Sequence, residues 1–293
     1  MFTGLSAFPL TPLDDDQLDE SAYAKLIARL AAAGVDSIGA LGSTGSYAYL
    51  TRAERARAAT LAVRGAAGVP VIVGIGAVRL RHVLEHAEDA QRAGAAGVLL
   101  APVSYQPLLP DEVYHLYEQV AANLSVPLVV YDNPRTTGFT FTDDLYAAVA
   151  KLPHVESIKV PPLPADPAIA ADRVSGLRGR LPAHVGIGVS GDPVAAVSLR
   201  AGCDAWYSVI GGILPGLALA ITRADTAAGS RAASDRLRPF WELFAAYGSL
   251  RVVAATAAVL GLTGADCLPR PLRGLDAAGL DAVRRAVDEV TAG

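Results

Sequence analysis

Lys159 stands at the end of a short apolar run in the segment Val155–Pro162, and two prolines stop the run just beyond it. Of the 25 lysines and arginines in the chain, only Lys25, Lys151 and Lys159 are lysines. An arginine cannot lose its proton in a protein, whereas a desolvated lysine can become a neutral nucleophile. Lys159 is therefore a candidate to form a Schiff base with a ketone. The alternative is a lysine at a strand end whose amine reaches out to water.

Hydroxyl-bearing residues follow two other apolar runs. Tyr131 ends one of them, and if that run lies beside the one that ends at Lys159, its phenol could shuttle protons at an imine. The turn Gly42–Ser46 holds Ser43 and Thr44 between glycines, and its N–H groups and hydroxyls could bind a carboxylate. The alternatives are a core tyrosine and an ordinary Gly/Ser turn.

These residues need a scaffold in which several strand ends meet. The chain alternates short apolar runs with longer segments rich in Ala, Leu and Arg, as expected where helices cover a parallel sheet. Eight such units predict a closed (β/α)8 TIM barrel, in which the loops after the strands carry the chemistry. A doubly wound open sheet is the alternative. The predicted strands are Gly4–Phe8, Val35–Ala40, Pro70–Ile75, Gly97–Ala101, Pro127–Tyr131, Val155–Val160, His184–Val189 and Ala205–Val209.

The rest of the chain is predicted to be helical. Between the strands lie helical patterns such as Asp19–Ala33, Arg52–Arg64, Arg79–Arg92 and Asp111–Ala122. After residue 222 no strand signal appears, so we predict a catalytic barrel over residues 1–222 and a C-terminal extension of three helices over residues 223–293. The extension could cover the barrel or build an oligomer interface. Its predicted helices are Ser230–Ala246, Leu250–Leu260 and Leu272–Val290.

The composition restricts the classes of partner. Hydrophobic residues make up 52% of the chain and charged residues 18%, which favours a large core over disorder. With a net charge of −4 and no basic cluster, neither nucleic acid nor an anionic membrane is an expected partner. Cys203 and Cys267 cannot build a disulfide framework, and neither a leader nor a bilayer-spanning stretch is evident. We expect a cytoplasmic protein.

Two motifs suggest a cofactor or a metal when taken alone. The run Gly186–Gly191 matches a dinucleotide fingerprint, but it belongs to the seventh unit, and Asp204 opens its strand rather than ending it. The run His82–His86 matches an inverted zinc-protease pattern, but in a barrel its helix lies on the outer ring. We expect neither an organic cofactor nor a metal ion.

Taken together, the strand-end segments resemble those of a known family. The turn Gly42–Gly45 matches the G-[ST]-T-G motif of the dihydrodipicolinate synthase / N-acetylneuraminate lyase family of Schiff-base-forming class I aldolases. Tyr131, Pro134 and Gly138 match its Y-N-x-P-x-x-x-G segment. The segment Ser157–Lys159 is similar to its Gly-Ile-Lys at the end of the sixth strand. The resemblance covers nearly the whole chain.

The resemblance implies a mechanism and an assembly. Lys159 would attack the ketone of pyruvate or another 2-oxo acid to give an imine. Ser43, Thr44 and the backbone of Gly45 would hold the carboxylate of that acid. Tyr131 would shuttle protons, helped by the hydroxyl of Thr44. The family also implies a homotetramer built as a dimer of dimers, without a metal or organic cofactor.

Three positions around the expected second substrate depart from the family pattern. Ser46 stands where glutamate commonly continues the turn. Thr136 stands where dihydrodipicolinate synthases have a carboxylate-binding arginine, and Arg135 comes one place early. Ser104 aligns with the tyrosine that crosses from a neighbouring subunit in those enzymes, and Tyr105 is adjacent. The half of the site that forms the imine is thus retained, and the half for a second substrate is rewritten.

We predict a class I aldolase or lyase that makes or breaks a C–C bond beside the imine of a 2-oxo acid. The alternatives are a dehydratase or hydratase-aldolase of a deoxy sugar acid, 4-hydroxy-tetrahydrodipicolinate synthase, and a non-catalytic barrel that binds a metabolite. The predicted catalytic residues are Lys159, Tyr131 and Thr44. The predicted substrate-binding residues are Ser43, Gly45, Ser46, Tyr105, Arg135, Thr136, Ser190, Gly191 and Ile210.

Overall fold

Eight parallel strands close into a barrel in the computed structural model, which describes residues 2–292. Their order around the barrel follows the chain, and the last strand pairs with the first. The predicted (β/α)8 barrel is therefore confirmed, and seven of the predicted strands are trimmed by one or two residues at an end. The strands are β1 Gly4–Ala7, β2 Ser37–Ala40, β3 Val71–Gly74, β4 Gly97–Leu100, β5 Leu128–Tyr131, β6 Val155–Val160, β7 Gly186–Val189 and β8 Ala205–Ser208.

Helices cover the outside of the barrel and begin and end at residues suited to those positions. Thr51 and Glu54 form a reciprocal capping box at the start of the second helix, and Gly34 ends the first in a left-handed conformation. Among residues 2–292, no helix combines the length and the apolar character needed to cross a bilayer. The helices up to residue 222 are α1 Glu20–Ala33, α2 Arg52–Gly65, α3 Leu80–Ala93, α4 Pro110–Ala121, α5 Pro134–Thr137, α6 Asp143–Val149, α7 Pro167–Arg178, α8 Ala195–Arg200 and α9 Pro215–Thr222.

The C-terminal tail over residues 223–292 is helical, but the prediction of one helix at Ser230–Ala246 is wrong. That segment contains two helices that meet at Leu237, because Pro239 lacks the N–H that a continuous helix would use there. The last helix begins at Ala277, later than predicted, with Asp276 as its cap. A C-terminal helical extension is thus present, and the dividing line at residue 222 stays a prediction. Its helices are α10 Ala227–Arg236, α11 Arg238–Tyr247, α12 Ser249–Val259 and α13 Ala277–Thr291.

Two large aromatic rings fill the top of the barrel interior. Phe8 follows β1 and Tyr207 lies on β8, and their rings meet edge to face with centroids 5.9 Å apart. Gly39 and Gly42 make room for the first ring, since an added Cβ would lie 2.4 or 2.5 Å from it. At Gly188 a Cβ would lie 2.1 Å from the ring of Tyr207. Glycines on the strand next to each ring, or in the turn after it, therefore allow a barrel mouth walled by aromatic rings.

One irregularity sets the alignment of β5 with β6. Leu128 pairs with Val155, but the next residue of β5 pairs with Ser157, so Glu156 is an extra residue on β6. This bulge brings Tyr131 directly opposite Lys159. An uninterrupted ladder would reverse the faces of the last four residues of β6 and would turn the lysine toward the helices.

Candidate active site

Lys159 is buried at the carboxyl end of β6 and is only 5% exposed. Its Nζ lies 4.1 Å from the ring centroids of Phe8 and Tyr131, and 5.5 Å from that of Tyr207. The rings exclude water, although their faces also attract a cation. The effect of burial is the larger one and lowers the pKa of Lys159 to about 7. The side chain therefore holds a large fraction of neutral, nucleophilic amine near neutral pH.

Asp192 provides the negative charge that acts on Lys159. Its carboxylate is buried and accepts hydrogen bonds from Trp206 Nε1 at 3.0 Å and from the N–H of Ile210 at 2.6 Å. Burial raises the pKa of this carboxyl to about 6, and the same carboxylate partly opposes the lowered pKa of Lys159. The donors fix the carboxylate, so the lysine has a stationary counter-charge.

The hydroxyl of Tyr131 has two partners. Asn133 Nδ2 donates to it at 2.8 Å, and Ser43 Oγ lies 3.3 Å from it. Burial raises the pKa of Tyr131, while both hydrogen bonds act to lower it. A phenol placed opposite an amine, with partners for its own proton, has the geometry of a proton relay.

The Gly42–Ser46 turn lies at this mouth, at the end of β2. Ser43 reaches Tyr131, whereas Thr44 lines a narrow apolar crevice together with Phe8 and Val253. We expected the hydroxyl of Thr44 to assist Tyr131, but the structure has that of Ser43 in this position. Thr44, Gly45 and Ser46 are buried in the turn, and Ser46 has a positive φ of 52°.

Three predicted substrate-binding residues lie at the surface. Arg135 and Thr136 are exposed on the short helix α5. Tyr105 is 89% exposed, and the neighbouring Ser104 donates a hydrogen bond to the carbonyl of Gln106. Within this chain, the structure does not bring these side chains to the buried amine.

The loops after β7 and β8 wall the opposite side of the mouth. Ser190 Oγ donates to the carbonyl of Val160 at 2.9 Å, which ties the end of β7 to β6. Gly191 has φ 88°, and a Cβ there would lie 2.6 Å from Pro162. Ile210 is fully buried and holds Asp192 through its N–H. These predicted residues shape the mouth, mostly through their backbone atoms.

Sequence reasoning missed four residues of the site, namely Phe8, Asn133, Asp192 and Tyr207. Asp192 directly follows the predicted Gly191, and Asn133 lies two residues from both Tyr131 and Arg135. The two rings could have been suspected from the glycines of the neighbouring strands, which make room for a large side chain. Among residues 2–292, no three His, Cys, Asp or Glu side chains cluster closely enough to hold a metal ion.

The arrangement provides a partly neutral amine, a phenol opposite it and a hydroxyl-bearing turn, within a mouth walled by aromatic rings. Such an amine can add to a ketone carbon, and the phenol can give or take a proton at the neighbouring atoms. Hydroxyls and N–H groups of the turn can stabilise a carboxylate by hydrogen bonding, without a formal positive charge. The chemistry available is therefore that of an imine formed on a keto acid.

Comparison with known proteins finds relatives over nearly the whole chain. A sequence model of the dihydrodipicolinate synthetase family matches residues 1–290. An uncharacterized DapA-like lyase of Halobacterium salinarum is 31% identical over 267 residues, which are 89% of this chain and 85% of that protein. The crystal structure of a dihydrodipicolinate synthase from Agrobacterium tumefaciens superposes with a TM-score of 0.94 at 44% identity, covering 99% of this chain and 98% of the other.

A third similarity concerns the fold alone. A dihydrodipicolinate synthase from Acinetobacter baumannii, solved in complex with pyruvate, superposes with a TM-score of 0.89 at 23% identity. The match covers 99% of each chain. At this identity the likeness extends the barrel and its helical extension to a distant relative.

Proposed function

The chain belongs to the dihydrodipicolinate synthetase family of lyases, and from this membership we propose that Lys159 forms a Schiff base with pyruvate or another small 2-oxo acid. The family expected from the sequence motifs is thereby confirmed. The observation that carries the proposal is the buried amine of Lys159, which lies opposite Tyr131 and has a pKa lowered to about 7 by burial. A pyruvate complex of a distant relative supports the choice of substrate class.

The proposed reaction proceeds in balanced steps. The lone pair of the Lys159 amine attacks the keto carbon. One amine proton and one proton from solvent pass to the carbonyl oxygen, which leaves as water to give a protonated imine. The imine then draws the electrons of a bond at C3 toward nitrogen. That bond is C–H when Tyr131 takes the C3 proton, and C–C when Tyr131 takes the hydroxyl proton of the departing carbon, which leaves as an aldehyde; either cleavage gives an enamine. The turn at Ser43 and Gly45 holds the carboxylate throughout.

A second candidate is dihydrodipicolinate synthase itself, in which the enamine adds to an aldehyde. The 44% identity to a protein of that name favours this candidate. The exposed positions of Arg135 and Thr136 disfavour it, because they leave no arginine at the buried amine to bind the carboxylate of the second substrate. A dehydratase or hydratase-aldolase would use the same imine and the same tyrosine.

Reductive trapping tests the proposal. Pyruvate with cyanoborohydride should add one reduced adduct, which mass mapping should find at Lys159 and not at Lys25 or Lys151. Larger 2-oxo acids should trap more slowly, because three aromatic rings restrict the space around the amine of Lys159. If no 2-oxo acid in such a panel modifies Lys159, the proposal is wrong and a non-catalytic barrel becomes the better interpretation.

The trapping rate should depend on pH in a way that an ordinary lysine would not show. With a pKa of about 7, the neutral amine and hence the initial rate should rise about tenfold from pH ~6 to ~8 and then level off. An unperturbed lysine would gain about tenfold per pH unit up to pH ~9 and would level off only above pH ~10. Rates measured by mass spectrometry across this range decide between the two, and a rise that continues past pH ~9 would contradict a desolvated amine.

We also propose that the protein self-associates through the loops after β2, β3 and β4. Exposed apolar side chains lie in these adjacent loops: Tyr49, Val78, Tyr105 and Leu109. A second copy that covered them would remove apolar surface from water, and the dimer so formed would supply one of the two interfaces that a dimer of dimers requires. In sedimentation velocity, Tyr105→Asp with Leu109→Asp should shift the protein to a smaller species, whereas Ile169→Asp on α7, at a residue as exposed as Leu109, should not. Unchanged sedimentation of the double variant would contradict this interface.

We propose a cytoplasmic location. The described Cys203 and Cys267 are both buried and free, and burial raises the pKa of each thiol. Free thiols are typical of proteins in a reducing compartment.

A further inference from the structure

Asn133 lies at a position where its side chain would ordinarily serve a helix. It is the residue before α5, and asparagine is among the best residues for accepting a hydrogen bond from the first turn of a helix. Here the side chain makes no such bond. Instead its amide nitrogen donates to the hydroxyl of Tyr131 at 2.8 Å.

The backbone of Asn133 is held firmly while its side chain points to the phenol. Pro134 follows it, which restricts Asn133 to extended conformations, and its φ and ψ are −141° and 72°. The carbonyl of Asn133 accepts from the N–H groups of Thr136 and Thr137, both at 3.0 Å, and from Thr137 Oγ1 at 3.1 Å. The helix is thus tied to the Asn133 backbone, and the side chain is free to act elsewhere.

The hydrogen bond from Asn133 holds the Tyr131 hydroxyl in place beside the Gly42–Ser46 turn. The phenol oxygen accepts from Asn133 and also lies 3.3 Å from Ser43 Oγ on that turn, in a contact in which either hydroxyl can donate. Donation to the phenol oxygen also stabilises the phenolate, and it opposes the burial that raises the pKa of Tyr131. Both partners of the hydroxyl belong to one chain.

We propose that Asn133 is the positioning residue of the proton relay, orienting Tyr131 toward Ser43 and stabilising its phenolate without touching substrate. The inference rests on the proposed imine chemistry at Lys159.

A suitable test uses pyruvate alone, because the enamine step removes a hydrogen from its methyl group. In D₂O, the loss of the methyl proton signal reports that step, and reductive trapping reports the imine separately. Asn133→Asp keeps a side chain that suits a helix start but replaces the donor with a charged acceptor. Asn133→Ala removes the donor without adding charge.

We expect the exchange rate to fall in the order Asn, Ala, Asp, by about tenfold for Ala and about a hundredfold for Asp. The basic limb of the exchange–pH profile should move to higher pH in Asn133→Asp, because the added negative charge disfavours the phenolate. The trapping rate at Lys159 and the melting temperature should change little. The matched control is Asn123→Asp, the same substitution at an exposed residue in the turn after α4, whose side chain donates to the carbonyl of Gln119.

The outcomes separate this inference from the function on which it rests. Suppose that the native protein forms the Lys159 adduct, and that Asn133→Asp exchanges the methyl protons within twofold of the native rate with the basic limb of its pH profile unchanged. The relay role of Asn133 is then wrong, and the imine chemistry stands. If Asn133→Ala lowers stability while Asn133→Asp is silent in both assays, Asn133 is a helix cap only. If the native protein forms no adduct, both proposals fail together.

Discussion

A Lys159→Met variant is expected to form no adduct with any 2-oxo acid and to lose methyl exchange by at least about a thousandfold. The thioether has no nucleophilic lone pair of comparable reactivity, yet it nearly matches the volume of the lysine stem. Sulfur also packs well against aromatic rings, and three surround this position. Loss of activity in this variant would therefore reflect lost chemistry in an intact fold.

The same variant should be more stable than the native protein at neutral pH. The pKa of Lys159 falls from 10.5 to about 7 on burial, so between those values the unfolded chain binds more protons than the folded one. The stability of the native protein should therefore rise with pH across that window. Methionine removes this penalty, which at neutral pH is on the order of 4 kcal/mol.

Urea unfolding midpoints of the two proteins, measured near pH ~7 and again near pH ~10, test this expectation. The advantage of Lys159→Met should be largest at the lower pH and should shrink as both states of the native lysine lose their charge. Equal midpoints near neutral pH would mean that the amine is solvated, and the case for a neutral nucleophile would fall with it.

Tyr131→Phe is expected to slow methyl exchange by roughly a hundredfold to ten-thousandfold. The ring that walls Lys159 remains, and only the hydroxyl between Asn133 and Ser43 is lost. Trapping of pyruvate should therefore persist, with the concentration for half-maximal trapping changed by less than about fivefold. A variant that exchanges at the native rate would remove Tyr131 from the relay.

Tyr207→Phe is the matched control for that experiment. Its ring also faces Lys159, but its hydroxyl bonds to Ser157 at 2.8 Å, one inward-facing residue before the lysine on β6. Deleting that hydroxyl leaves the buried Ser157 without its partner, so stability should fall by about 1–2 kcal/mol. Exchange should fall far less than in Tyr131→Phe, because this phenol lies below the reacting atoms.

The sequence predicts the barrel well because each strand can be recognised from its own short stretch of sequence. Each short apolar run followed by a helix-forming segment reports its own strand, and eight repeats leave few arrangements other than a closed barrel. The prediction for the tail fails because of a single residue. Pro239 divides a segment whose apolar pattern is otherwise continuous. The hairpin of Leu13–Asp14 with Gln17–Leu18 is missed because strands of two residues leave no periodicity to detect.

The site is predictable only in part, for a related reason. Lys159, Tyr131 and the Gly42–Ser46 turn stand at the ends of predicted strands, so the barrel alone brings them together. The partners of Tyr131 depend on side-chain direction, which strand order does not contain. From the local sequence, the Asn133 side chain would be expected to cap the helix that follows it. In the folded chain it donates to the Tyr131 hydroxyl instead.

The extra residue on β6 has a consequence for how relatives of this chain should be compared. Because the bulge absorbs Glu156, a homologue lacking that residue could run a regular ladder and still hold its lysine opposite its tyrosine. A gap two positions later, at Ile158, would instead substitute Val160 for the lysine in the pair. Alignments of this strand are therefore best anchored at its carboxyl end, and a length difference before Ser157 carries no information about chemistry.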